Sequence, residues 1–297
     1  MCLQRTKRLP TKGLRMTEPK TNEPKTIVLT GASDGIGAAA ARLLHAEGHR
    51  VVLVGRSPGK TENVARQLAA DWYTADFADL GQVRSLARDL KAAYPRIDVL
   101  ANNAGGLFAG PERTRDGFEK TFQINHLAPF LLTHELLDVL LGSRASIVNT
   151  SSIGARLFGR VDIEDLNTWR GFTPNRAYGN GKLANILFTR GLHARHAGRG
   201  LSSVAFHPGN VATNFAAEST SYLRPFYHTW LRRFLISSER GGANLAHFCA
   251  GTPGTDWQSG RYYDDHRRPG RTSPQAADDD LVLRHWQASA GMLGIPA

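Results

Sequence analysis

From Thr26 onward the chain alternates between two hydrophobic periods, and few folds accept that alternation. Short apolar runs bounded by turn residues recur at Thr26–Thr30, Arg50–Val54, a weaker Trp72–Ala75, Ile97–Ala101, Ala145–Thr150 and Leu201–Phe206. Between them lie helical patterns at Ile36–Glu47, Thr61–Ala70, Gln82–Ala93, Phe118–Leu141 and Tyr178–His196. Strands spaced by helices of this length build βαβ units around a parallel sheet. The runs Ile27-Val28-Leu29 and Val51-Val52-Leu53-Val54 are apolar at every position, as strands covered by helices on both faces should be.

The turn after the first strand reads Thr30-Gly31-Ala32-Ser33-Asp34-Gly35-Ile36-Gly37. Glycines are needed where backbone turns tightly, approaches a pyrophosphate and lets a helix pack close to its strand. The helix that follows would offer free N–H groups and its positive dipole end to phosphates. Gly31, Ser33, Gly35, Ile36 and Gly37 are therefore expected to bind a dinucleotide, between an apolar strand and an Ala-rich helix. The expected fold is α/β: a single-domain, Rossmann-type doubly wound parallel sheet over residues 26–297, with its site at the carboxyl ends of the strands. After the second strand comes Gly55-Arg56-Ser57, with Arg56 where NAD-binding folds carry an acid for the ribose 2′-OH. A guanidinium there suits a 2′-phosphate, so NADP(H) is favoured over NAD(H); a solvated surface cation is the plainer alternative. Asp34 weighs the other way, since it adds negative charge beside the phosphates.

Charge and length exclude other classes. The formal net charge is +11, but five cations and no acids precede Met16, so nearly half the excess sits in one short segment. Residues 1–25 are expected to form a solvated tail, with an arm for an anionic partner as the other reading, and Met16 stands as an alternative start. Nucleic-acid binding is not expected of the domain. No run of about 18 apolar residues exists to span a membrane. Residues 1–25 lack the apolar stretch of a secretory signal. Cys2 and Cys249 are too few for a disulfide framework, which suits a reducing cytosol, so a cytoplasmic location is expected. The eleven histidines show no metal-binding spacing, and Asp264, Asp265 and His266 share a loop with Arg267 and Arg268, so no metal is expected. G-x-S-x-G is absent, so no serine stands on a nucleophile elbow.

Tyr178 and Lys182 are four residues apart, so a helix presents both on one face. A phenol with pKa near 10 is a poor base at neutral pH. An adjacent ammonium, with the positive ring of an oxidised nicotinamide, favours the phenolate. Tyr178 is then able to take a hydroxyl proton during oxidation or give it to a carbonyl oxygen during reduction.

Tyr178-Gly-Asn-Gly-Lys182, together with Asn102-Asn103-Ala104-Gly105, Ser151-Ser152 and Pro208-Gly209, resembles the short-chain dehydrogenase/reductase family in motif and in order, from about Thr26 to Ile295. Asp165-Leu166-Asn167, the Lys182–Phe188 segment and the tail Gly260–Asp264 with Trp286 resemble its retinol-dehydrogenase-like branch, which includes WW-domain oxidoreductase relatives. The resemblance implies that Asn125, Ser152, Tyr178 and Lys182 are catalytic, Ser152 being preferred to Ser151 by position and Asn125 relaying protons through water to Lys182. It implies cofactor contacts from Asp76, Phe77, Asn103, Ala104 and Gly105, and from Pro208, Gly209, Val211 and Thr213 at the carboxamide end, with Tyr178 and Lys182 also touching the cofactor. Family members often pair through helices matching Phe118–Leu141 and Tyr178–His196, leaving monomer or homodimer open. One departure is Gly181, where the family usually has Ser; with Gly179 it weakens helix propensity in what is expected to be the first turn.

Substrate class rests on the stretch after Thr213. Phe215–Ile236 is rich in aromatic and aliphatic residues interspersed with Arg224, Arg232 and Arg233. It reads as an apolar substrate lid over about 213–237, with a weak membrane-surface contact or core and dimer packing as alternatives. The expected activity is NADP(H)-dependent interconversion of a small hydrophobic alcohol and its aldehyde or ketone. The alternative is a cofactor-binding sensor or scaffold of the same fold.

Overall fold

A computed structural model describes residues 23–209 and 237–297. Its strands are β1 (Thr26–Thr30), β2 (Arg50–Gly55), β3 (Trp72–Thr74), β4 (Val99–Asn102), β5 (Ser146–Thr150), β6 (Ser202–Phe206) and β7 (Arg261–Tyr263). All pair in parallel in the order β3-β2-β1-β4-β5-β6-β7. β1 pairs with both β2 and β4, so the chain reverses its direction of travel across the sheet between β3 and β4. Ligands of open α/β sheets bind in the crevice that such a reversal opens at the carboxyl ends.

The helices are α1 (Gly35–Ala46), α2 (Pro58–Leu68), α3 (Leu80–Ala93), α4 (Lys120–Phe122), α5 (Ala128–Glu135), α6 (Leu137–Gly142), α7 (Gly154–Leu157), α8 (Pro174–His196), α9 (Ser238–Ala250) and α10 (Asp279–Leu293). Alternate residues of the central strands feed two cores. Ile27, Leu29, Val51 and Leu53 pack with Ala40 and Leu44 of α1 and with Leu245 and Phe248 of α9. Val28, Val52 and Leu100 pack with Val83 and Leu90 of α3, Phe130 of α5 and Leu187 of α8. Both strand faces are thereby dry, which is why the runs are apolar at every position. The small residues of α1 allow close approach: a methyl on Gly242 of α9 would lie 2.6 Å from the Ala39 Cβ.

The expected helix over Phe118–Leu141 is broken into α4, a π-turn (Gln123–Leu127), α5 and α6. Pro129 explains the π-turn. It has no N–H to give the Asn125 carbonyl four residues earlier, and its ring clashes with that carbonyl, so the helix widens. A second difference concerns α8. Thr173 caps it through its hydroxyl to the Arg176 N–H and Pro174 opens it, so Gly179 and Gly181 fall beyond the first turn. They are there for contact: a methyl on Gly179 would lie 2.7 Å from the Phe158 carbonyl carbon, and one on Gly181 3.2 Å from the Asn125 Cβ.

Four elements were not expected: β7, α7, α9 and α10. Lys25, assigned above to the tail, reaches from before β1 to cap α9, its ammonium donating to the carbonyls of Cys249, Ala250 and Gly251. Trp286 of α10 packs at 4.8 Å from Phe130 and 5.8 Å from Phe188 (ring centroids), so this part of the α5–α8 surface is covered from within the chain. Among the described residues no helix is long and apolar enough to cross a membrane. Truncating Trp286 to Ala is expected to lower unfolding free energy by about 3–5 kcal/mol. Leu283→Ala, on the exposed side of the same helix, should stay within about 0.5 kcal/mol of the parent in urea titrations.

Candidate active site

The glycine turn is built for close approach. Gly31 has φ of +67°, and a methyl there would lie 2.9 Å from the Ala104 Cα. A methyl on Gly37 would lie 2.1 Å from the Gly31 oxygen, so the first turn of α1 sits directly on the loop. Asp34 caps α1, accepting the Gly35 N–H at 2.8 Å, and pairs with Lys60 at 3.4 Å. The next two amides of the first turn, those of Ile36 and Gly37, have no intrahelical acceptor. A cradle that side chains would fill, at a helix N-terminus, fits a dinucleotide pyrophosphate.

The end of β2 presses on this turn. A methyl on Gly55 would lie 2.2 Å from the Thr61 hydroxyl and 2.9 Å from the Ser33 Cβ, so the strand end just before Arg56 packs on the glycine turn. Arg56 also lines a cleft of about 390 Å³ with Asp76, Asp79, Glu112, Arg113, Arg115 and Lys120. Asp76 accepts the Ala78 N–H at 2.9 Å, and Phe77 is buried, its carbonyl accepting from the Gln123 amide.

β1, β4 and β5 are stitched together at their carboxyl ends. The Thr30 hydroxyl donates to Ala101 and accepts the N–H groups of Asn103 and Ala104, each at 3.0 Å. The Asn103 amide donates to the Thr30 carbonyl, and its oxygen accepts from the Thr150 hydroxyl at 3.2 Å. Loop and strand ends are thus one rigid edge.

On that edge four side chains expected to be catalytic converge. Lys182 is 2% exposed, and its ammonium donates to the Thr150 carbonyl at 3.2 Å. It lies 5.6 Å from the centre of the Tyr178 ring. A methyl on Gly105 would lie 2.5 Å from the Asn125 oxygen and 3.0 Å from the Lys182 nitrogen. Asn125 is pinned, donating to the carbonyls of Gly106 and Thr121 and accepting from the Gly106 N–H. A methyl on Gly154 would lie 3.1 Å from Tyr178 Cε1 and 3.5 Å from the Ser152 hydroxyl. The two serines divide their work: Ser151 donates to the Lys182 carbonyl at 2.7 Å, while Ser152 stays beside Tyr178 and accepts the Gly154 N–H. Burial brings the Lys182 pKa down to about 7.

A chain of contacts joins this group to the glycine turn, through Gly31, Ala104, Gly105 and Lys182. At the other end of the crevice the Pro208 carbonyl accepts from Asn244, and Gly209 has φ of +105°. Val211, Thr213 and the expected lid, apart from Ser237 at its end, lie outside the described residues. Sequence reasoning passed over Gly55, Pro129 and Asn185. Pro129 was the readable signal among them, since a proline inside a helical pattern marks a break.

Residues 25–223 match the family model described as short chain dehydrogenase. A Streptomyces sp. (strain C5) protein assigned as daunorubicin C-13 ketoreductase is 40% identical over 279 residues, covering 91% of this chain and 93% of its own. Human retinol dehydrogenase 11 is 36% identical over 280 residues, covering 92% of this chain and 86% of its own. Among solved structures, an uncharacterised protein from Mycobacterium paratuberculosis superposes with a TM-score of 0.74 at 30% identity, over 92% of this chain and 95% of that one. A short chain dehydrogenase from Shigella flexneri, complexed with NADP, gives 0.63 at 25% identity, over 82% and 97%. With a seven-stranded parallel sheet and these relatives, the chain belongs to the short-chain dehydrogenase family and is an oxidoreductase of its retinol-dehydrogenase-like branch.

Proposed function

We propose that this protein is an NADP(H)-preferring oxidoreductase that interconverts a hydrophobic alcohol and its aldehyde or ketone, with Tyr178 as the general acid/base. One observation supports it above the rest: Tyr178, Ser152, Lys182 and Asn125 converge around Gly105 and Gly154, one contact from the glycine turn. Ser152 hydrogen-bonds the substrate oxygen and aligns it with the phenol. Tyr178 takes or returns the proton of that oxygen, and the Lys182 ammonium stabilises the phenolate. The nicotinamide supplies or accepts the hydride when bound. Asn125, released by Pro129 from the regular helical ladder, keeps a backbone carbonyl available for a water that passes protons toward Lys182.

Arg56 holds the 2′-phosphate, Ser33 and the first-turn amides of α1 hold the pyrophosphate, and Asp76 meets the adenine. Arg56 follows Gly55, whose Cα faces Ser33, and lines a cleft where four cations (Arg56, Arg113, Arg115, Lys120) stand against three acids (Asp76, Asp79, Glu112). The NADP bound in the Shigella flexneri neighbour agrees with this preference. For the substrate, Leu157 and Phe158 stand 57% and 43% exposed on the segment after Ser152 and offer an apolar surface near the phenol. One relative is named for an alcohol, retinol, and another for the C-13 ketone of daunorubicin.

Tyr178→Phe is expected to lower kcat about 10²–10⁴-fold against a panel of apolar aldehydes and ketones, with NADPH binding retained. Turnover at the parent rate would remove Tyr178 from the mechanism. Arg56→Asp should weaken NADPH binding about tenfold or more and turn the preference toward NADH, because a charge-assisted contact becomes a repulsion. An unchanged ratio of the two cofactors' KM values would contradict the 2′-phosphate assignment.

The lowered Lys182 pKa gives a pH signature. If its ammonium holds the cofactor ribose, binding selects the protonated form and raises its pKa in the complex. NADPH affinity of the free enzyme is then greatest below pH 7 and falls as pH rises through about 7, until the pKa of the complex is passed. Fluorescence titration across pH 6–9 measures the limb, and Lys182→Met should flatten it.

A further inference from the structure

The carbonyl that holds the Lys182 ammonium has a second donor. Asn185, three residues further along α8, gives its amide N–H to the same Thr150 oxygen, also at 3.2 Å. Residues at this spacing share a helix face, so the two side chains approach one acceptor together. The Asn185 oxygen points away, 3.4 Å from Nδ1 of His126, the residue after Asn125 in the π-turn. Nε2 of His126 lies 3.0 Å from the Ser289 hydroxyl on α10. With its N–H groups committed to Thr150, Asn185 can only accept from His126, so Nδ1 carries the proton and Nε2 accepts from Ser289. All three side chains are buried, and burial holds His126 neutral, its pKa pushed down to about 3.

A polar thread through this place is costly. The His126 ring lies 4.6 Å from the buried His285, 5.2 Å from Phe122, 5.7 Å from Phe130 and 6.0 Å from Phe188, a mostly apolar surrounding that an aliphatic side chain would fill without desolvating an imidazole. Its two ends say what it does. One rests on the C-terminal helix and the other on the acceptor of the catalytic ammonium.

We infer that Asn185 is a positioning residue for the reaction: it fixes the Thr150 carbonyl toward Lys182 and takes its own orientation from His126 and Ser289. This rests on the role proposed above for Lys182. When Asn185 is removed, the end of β5 relaxes, and Lys182 keeps its charge and its helix but loses a fixed direction toward the phenolate. The consequence falls on the transition state, where the phenol changes charge, and little on ground-state substrate binding.

Asn185→Leu is expected to lower kcat about 10- to 100-fold, as a sub-ångström to ångström misplacement does, with the KM of the carbonyl substrate within about twofold. His126→Leu should lose less, and the double variant should lose no more than Asn185→Leu alone, because both act through one thread. Losses that add, or a parent-like kcat for Asn185→Leu beside an inactive Tyr178→Phe, would overturn the inference. A parent-like kcat for Tyr178→Phe would instead overturn the mechanism on which it rests. Should Asn185→Leu fail to fold, Ser289→Ala removes one hydroxyl far from Thr150 and Lys182. It is expected to lower kcat about two- to fivefold at unchanged substrate KM, and an unchanged kcat there would count against the thread.

Discussion

A positive charge taken almost wholly out of water organises this molecule. Lys182 lies under the carboxyl edge of the sheet, and an ammonium so placed is tolerated only where dipoles replace its hydration. The Thr150 carbonyl, at the last residue of β5, is that replacement. Much of the neighbouring sequence can be understood as making room for it. Gly105 is bare because a methyl would touch both Lys182 and Asn125, and Gly181 is bare because α8 lies against the π-turn. Ser151 uses its hydroxyl to tie β5 to the backbone of the lysine itself. Loss of any one of these would move the charge or strand it.

The same edge joins the proposed cofactor end to the proposed chemical end. Thr30 closes β1, and its hydroxyl gathers the backbone of Ala101, Asn103 and Ala104. Asn103 passes the constraint to Thr150, whose carbonyl holds Lys182. The glycine turn and the ammonium therefore belong to one hydrogen-bonded strip across β1, β4 and β5. Parallel strands make this economical, because all their carboxyl ends, with the loops that follow, lie on one side of the sheet.

How much of this was legible follows from what each element buries. The central strands could be read to within about two residues, because burial on both faces leaves an uninterrupted apolar run between turn residues. β7 is three residues long at the sheet edge, too short for any period to show. α9 meets α1 through Gly242 and also buries Gly241, so part of its buried face is glycine and carries no hydrophobic signal. α10 buries His285 and Ser289 beside Trp286, and polar residues inside a core blur its stripe. The site was legible where a motif fixes residue types at a spacing, as with Tyr178 and Lys182. Asn185 was not, since its part depends on a carbonyl 35 positions earlier, on another element.

The surroundings of Lys182 also bear on why the phenol beside it can change charge. Burial is the cause of its lowered pKa, and among the described residues no carboxylate offsets it. A carboxylate would raise the lysine pKa and satisfy the ammonium, but its own negative charge would oppose a second one on Tyr178. A carbonyl dipole supports the ammonium more weakly and adds no net charge, so much of the lysine's attraction remains for an anion. In a dry site that attraction is stronger than in water, and the anion within reach of Tyr178 and Lys182 is the phenolate that the proposed mechanism requires. In the proposed mechanism, the cost of burying an ammonium that no carboxylate pairs with among the described residues is thus recovered in the ionised state of its neighbour, which is the condition for a group to favour a transition state over a resting one.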